Sequence, residues 1–289
     1  MGALDRQSDL NAKSRDLWDD YAGHRAAVTG LLLSRAPFPR ARLCVLGAGN
    51  ANDLDLARLY GPYGEIDLVD CDQAALERAR ARQPVPGTRA IGGVDLSGIA
   101  GLLDGGAPLA DCLAALDRYR PDWADRRYDM VLSAGLLSQL VLGAIEAWGE
   151  DHPDLPALLA ALRSQHVRLL LDLAGEQGQV LLVSDLVSTD TVPDLAATPA
   201  DKLKDRMVAL IEAGNFFTGL NPYALLKGCQ DDVELSARIG EAHLLRPWLW
   251  RLGPRRGYLV YALLLLPTRK GTPGDGHAIP TRKPKGRSA

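Results

Sequence analysis

The chain has 289 residues, 47% of them apolar and 24% charged, which suits one large α/β unit with a sizeable core and helical additions. A net charge of -3, with acidic and basic residues interspersed along most of the length, gives no field that would gather nucleic acid. Cys44, Cys71, Cys112 and Cys229 lie far apart, with no CxxC pair and no histidines at zinc-ligand spacing, so they read as reduced thiols and no metal site is expected.

The N-terminus turns polar too soon for a signal peptide. The most apolar run, Tyr258 to Pro267, is about half of the roughly 20 residues that a membrane-spanning helix needs. A cytoplasmic protein with no membrane partner is the expectation.

From Ser14 to Ser34, Leu17, Tyr21, His24, Ala27, Val28 and Leu31 recur at spacings of three and four, the period of an amphipathic helix. Residues 1–40 are therefore expected to form a helical cap. Pro37 and Pro39 break the chain before Leu43 to Leu46, a first strand that ends at Gly47. Asn50 to Tyr60 has helical character, Ile66 to Val69 is a second strand and Gln73 to Gln83 a second helix. A weak third strand over Arg89 to Val94 and a helix over Leu109 to Tyr119 precede a clearer strand at Tyr128 to Ser133. A long helix from Leu155 to Gly175 leads to a fifth strand, Gln179 to Ser184. This alternation predicts a Rossmann-like, doubly wound and mostly parallel sheet with helices on both faces.

Residues 188–240 then read as a helical insertion after the fifth strand. His243 to Trp250 and Gly257 to Leu266 suit an antiparallel C-terminal hairpin at one sheet edge, closing a main domain of residues 41–267. Residues 268–289 are rich in Gly, Pro, Lys and Arg, including Lys270, Arg282, Lys283, Lys285 and Arg287, and are expected to form a disordered basic tail.

Val45 to Asp53 follows a strand and contains Gly47 and Gly49, which permit backbone angles and a close ligand approach that side chains forbid. The third glycine of a dinucleotide fingerprint is replaced by Asn52. Asp70 ends the second strand roughly twenty residues beyond the glycines, where a carboxylate can accept from both hydroxyls of a ribose. Asp72 is placed to cap the next helix. The spacing fits both NAD and S-adenosylmethionine; the missing glycine and the closing antiparallel hairpin favour the latter.

These features together resemble the class I S-adenosylmethionine-dependent methyltransferases, over roughly Arg42 to Pro267. Val45 to Asp53 is similar to the family's glycine-rich first motif and Leu68 to Asp72 to its acidic second motif. Val94-Asp95-Leu96 stands where the family has an acidic residue and an apolar neighbour beside adenine, and Tyr128 to Ser133 resembles the strand that borders the methyl group. One departure is Val45, where the family often has an acidic residue two positions before the first glycine. The resemblance implies S-adenosyl-L-methionine as cofactor, with Gly47, Ala48, Gly49, Asn50, Asn52, Asp70, Cys71, Asp95, Leu96 and Ser133 in its site. It also implies that the leading helix covers the cofactor, with Tyr21 or Arg25 on its carboxylate and His24 facing the acceptor. Helix packing is the alternative for all three. Transfer in this family is direct, so the protein mainly positions the acceptor and excludes water, and a general base is optional.

No Asn/Asp-Pro-Pro-aromatic motif follows the fourth strand and no Pro-Cys pair occurs, which disfavours methylation of DNA amines and of pyrimidine C5. Asp185 ends a parallel strand on the ligand-binding side of such sheets and is the first candidate for an acceptor-orienting carboxylate or base. Asn215, Phe216, Asn221 and Tyr223 combine aromatics and amides suited to a pocket wall or to a packed lid, and Asn221-Pro222-Tyr223 also reads as a turn into a helix. The expected acceptor is a small molecule or a peptide side chain. A nucleotide-dependent oxidoreductase and a non-catalytic cofactor-binding interaction protein are the competing expectations. Oligomeric state is not legible.

Overall fold

The computed structural model describes residues 2–124, 126–253 and 256–269. The basic tail from Lys270 onward, and Pro254 and Arg255 of the hairpin turn, lie outside the described residues. Helices α1 (Ala3–Ser14) and α2 (Ala22–Leu33) precede β1 (Ala41–Leu46). There follow α3 (Leu56–Leu59), β2 (Tyr63–Val69), α4 (Gln73–Arg82), β3 (Thr88–Ile91), α5 (Ala100–Asp104), α6 (Leu109–Arg118), β4 (Met130–Ala134), α7 (Leu136–Trp148), α8 (Leu155–Ala174) and β5 (Gln179–Ser188). Helices α9 (Leu203–Glu212), α10 (Pro222–Asp231) and α11 (Val233–Arg238) come next, and the chain closes with β6 (Ile239–Leu244), β7 (Trp248–Leu252) and β8 (Arg256–Pro267).

The strand order is β3-β2-β1-β4-β5-β8-β6, with β7 also paired to β8. The first five strands in this order are mutually parallel; β8 runs antiparallel to β5, β6 and β7. The expected mostly parallel sheet with an antiparallel C-terminal hairpin is thus the observed one. Because helices cover both faces, the central strands are apolar on both sides, and every residue of β4 is buried. One face packs against α5 to α8 and the helices after β5, the other against α2, α3 and α4. Successive strands diverge between β1 and β4, so the loops after β1, β2 and β4 meet at the point where open α/β sheets take ligands.

Four local expectations are corrected. The single leading helix is two, because Ser14, Asp16, Asp19 and Asp20 favour turns and the chain folds back between α1 and α2. The helix expected from Asn50 shrinks to the single turn of α3, since Gly49 and Ala51 both hold positive φ, 47° and 49°, outside the helical region. Helix α7 had no counterpart in the sequence reading: its buried Leu136, Leu137, Leu140 and Val141 merge with β4 into one apolar run. The first hairpin arm begins earlier, at Ile239, and divides into β6 and β7 around Pro247, which has no N–H to give the ladder.

The short edge strand β3 is fastened by charge. Asp67 on β2 is 1% exposed and pairs in register with Arg89, whose guanidinium grips both carboxylate oxygens, while the Tyr128 hydroxyl donates a third hydrogen bond at 2.6 Å. Truncation leaves Tyr128 without its acceptor, whereas the half-exposed Arg89 can turn to water. Asp67→Ala should therefore destabilise the fold by about 2 kcal/mol in urea unfolding, with Arg89→Lys costing less.

Candidate functional site

The turn after β1 is built around two glycines at positive φ, Gly47 at 71° and Gly49 at 47°. The N–H groups of Gly47 and Ala48 both donate to the carbonyl of Val69, which ties the turn to the end of β2. Asp70 completes the junction: its Oδ2 accepts from the Gly49 N–H at 2.9 Å and its Oδ1 from the Asp72 N–H at 2.9 Å. Burial raises the pKa of Asp70 while these N–H donors pull it back down. Asp72 caps α4 through the Ala75 N–H, as its position after the strand implied.

Helix α1 sits directly on this junction. The Asn11 amide donates to Asp70 Oδ1 at 3.2 Å, and a Cβ placed on Gly49 would lie 2.3 Å from the Asn11 side-chain oxygen. Asn50 donates to the Asn11 carbonyl and the Ser14 hydroxyl, and Asn52 to the Ser14 carbonyl. Arg78 and Arg82 in turn hold the side-chain oxygens of Asn50 and Asn52. Asp70 Oδ1 thus accepts from Asp72 and Asn11, and Oδ2 from Gly49. The asparagines nominated for the cofactor instead fasten α1, and Cys71 faces Gln7 of the same helix at 3.3 Å.

Two further nominations meet structural partners. The oxygens of Asp95 accept from Ser97, Gly98 and Ala100 and shape the start of α5, beside the buried Leu96. Ser133 is fully buried, and its hydroxyl pairs with Nε2 of His166 at 2.9 Å. The Arg25 guanidinium donates to the carbonyls of Trp18 and Asn52 and lies 3.6 Å above the Trp18 ring. Asn221 caps α10, Tyr223 is exposed, and Phe216 is partly buried against the core.

The structure does gather His24, Asp185 and Tyr21, together with Asp53, the last residue of the glycine-rich segment, to which sequence reasoning gave no role of its own. His24 is 5% exposed; its Nδ1 accepts from the Trp248 indole at 3.2 Å and its Nε2 faces Asp53 at 3.3 Å. These partners fix the neutral Nε2–H tautomer, and desolvation lowers its pKa to about 3. Desolvation, reinforced by the Asp185 charge and opposed by Arg25, raises Asp53 to about 7. Asp185 accepts from the Ser138 hydroxyl at 3.0 Å, and burial raises its pKa too.

No family model matches the sequence, and no curated protein matches it. Among solved structures the chain is similar to the TehB-like SAM-dependent methyltransferase of Corynebacterium glutamicum, at 14% identity over 92% of this chain and 98% of that one, with a TM-score of 0.40. It is also similar to magnesium protoporphyrin IX methyltransferase of Synechocystis with bound SAH, at 11% identity, 84% and 81% coverage and a TM-score of 0.41. It spans 60% of the length of a chain in the Haloferax volcanii complex that contains the Trm112 methyltransferase activator, at 13% identity and a TM-score of 0.36. Likeness at this level carries neither a residue role nor an activity across.

The raised pKa of Asp53 has a measurable consequence. The folded chain binds this proton more tightly than the unfolded one, so the contribution to stability is full below about pH 4 and is lost as pH rises through about 7. The stability of Asp53→Asn relative to the wild type should accordingly climb by roughly 1–3 kcal/mol between pH 4 and pH 8, read from urea midpoints. A flat difference would contradict the shift.

Proposed function

We propose that the chain is an S-adenosylmethionine-dependent methyltransferase that acts on a small molecule or a peptide side chain. The observation that carries this reading is the bond from the Gly49 N–H to Asp70, which sets a glycine cradle and a carboxylate side by side at the switch point of a sheet closed by an antiparallel strand. In this reading Gly47, Ala48 and Gly49 pass close to the cofactor, Asp70 accepts from its ribose, and Cys71 and Leu96 lie beside it. The bound cofactor supplies an electrophilic methyl group.

The remaining work falls to positioning. Asp185, with Ser138 behind it, stands just past the end of β4 and orients the acceptor, while Tyr21 and His24 of the α2 region close the side opposite the sheet. An NAD site is less well supported, because Asn52 stands in place of the third glycine and spends its side chain on Ser14 and Arg82.

Calorimetric titration with S-adenosylhomocysteine tests the reading. Asp70→Ala should weaken binding by roughly 1.5–3 kcal/mol, whereas Asn11→Ala, which frees an acceptor position on Asp70, should tighten it by about 1 kcal/mol. Thermal stabilisation by NADH and not by S-adenosylhomocysteine would overturn the assignment.

A further inference from the structure

Beyond the end of β4 the sheet continues as a wall. The β4–β5 ladder stops at Ala134 opposite Val183, whereas β5 runs on to Ser188 opposite Tyr258. Asp185 pairs with Val260 and Val260 with Trp248; Tyr258 pairs with Trp250. Residues opposite one another across strands share a face, and residues two apart on one strand do as well, so Asp185, Tyr258, Trp248 and Trp250 project to one side.

Tyr21 and His24 meet that side. The Tyr21 ring lies edge-on to Trp250 at 4.7 Å, His24 stacks on Trp250 at 4.4 Å, and Tyr258 follows Trp250 at 5.1 Å. Asp53 enters from the loop above β1 through its bond to His24.

One property sets this cluster apart from ordinary core. It holds two half-buried carboxylates, and among the described residues no lysine or arginine forms an ion pair with either: Asp53 has a neutral imidazole and the longer-range field of Arg25, whose guanidinium is directed to two carbonyls, and Asp185 has a serine hydroxyl. Carboxylates largely withdrawn from water with no ion pair are costly, and aromatic faces next to them reward an organic cation more than a hydrated metal ion.

We infer that this cluster is the acceptor subsite and that the acceptor is a primary or secondary amine, which enters as its ammonium between Asp53, Asp185 and the faces of Tyr21 and Tyr258. The inference rests on the methyltransferase reading above. The ammonium gives one proton to a carboxylate, and the freed nitrogen lone pair forms the new N–C bond as the methyl–sulfur bond breaks and leaves its electrons on sulfur. The nitrogen keeps its positive charge as the methylated ammonium, and the carboxylate passes its proton to water. Asp53, whose pKa burial raises to about 7, suits the proton-accepting role in its ionised form.

The test uses the full chain saturated with S-adenosylhomocysteine and reads tryptophan fluorescence during titration with butylammonium and with 1-butanol, its uncharged isostere. Butylammonium should bind at least tenfold more tightly than 1-butanol, and Asp185→Asn and Asp53→Asn should each reduce that preference to within threefold while leaving affinity for S-adenosylhomocysteine unchanged. Equal binding of the two probes, no binding of either, or a preference that survives both substitutions would overturn the amine assignment and leave the methyltransferase reading standing. Failure of the folded wild type to bind S-adenosylhomocysteine would instead remove the reading beneath it.

Discussion

The buried carboxylate of Asp70 is the constraint on which the rest of the site depends. The ends of the neighbouring strands β1 and β2 must be joined, and the turn after β1 runs through backbone conformations that leave its N–H groups without helical partners. The Val69 carbonyl and the Asp70 side chain take up three of those groups. The same carboxylate that would receive a ligand thus already holds the loop that would cradle it. Loss of Asp70 is expected to loosen the turn as well as remove a contact, because the acceptor for the Gly49 N–H goes with it.

The two faces of the sheet carry their polar burden differently. On the α8 face, the Ser133 hydroxyl and Nε2 of His166 pair in full burial, Nδ1 of His166 is left without a hydrogen-bond partner, and desolvation keeps His166 neutral, its pKa lowered to about 4. On the α2 face the polar groups stand past the end of β4, where the wall of β5, β8 and β7 has no parallel neighbour, and they keep partial contact with solvent. The antiparallel closing strand β8 therefore does more than cover an edge: it pairs with β7, which carries the tryptophans that meet α2.

The legible part of the sequence was the part with period and punctuation. Short apolar strands ending in Gly47 or Asp70, and the long α8 ended by Gly175, could be read because burial on both faces and the turn chemistry each leave a local mark. The seat of α1 left none, since Asn11 and Asp70 are 59 positions apart and nothing in either segment announces the other. The same holds for Asp53, whose role follows from a histidine on another element. Asp95, in the loop after β3, and Ser133, on β4, bond to partners that their strand positions did not announce, a turn in one case and an imidazole in the other. Position along a strand reveals which end of the sheet a residue occupies; it does not reveal what a neighbouring element does with the side chain.

The way α1 is held has a consequence for how this protein can diverge. Asn50, Asn52 and Arg82 reach the carbonyls of Asn11, Ser14 and Arg15, the last-turn groups that a helix end leaves open. These contacts read main chain, which every amino acid supplies alike. Away from Gln7, Asn11 and Ser14, whose side chains also bond to the junction, the docked helix can therefore drift in sequence without leaving its seat, while the clamp in the loop after β1 and on α4 cannot. Kinship among proteins with this arrangement should be sought in the clamp residues rather than in the helix they hold.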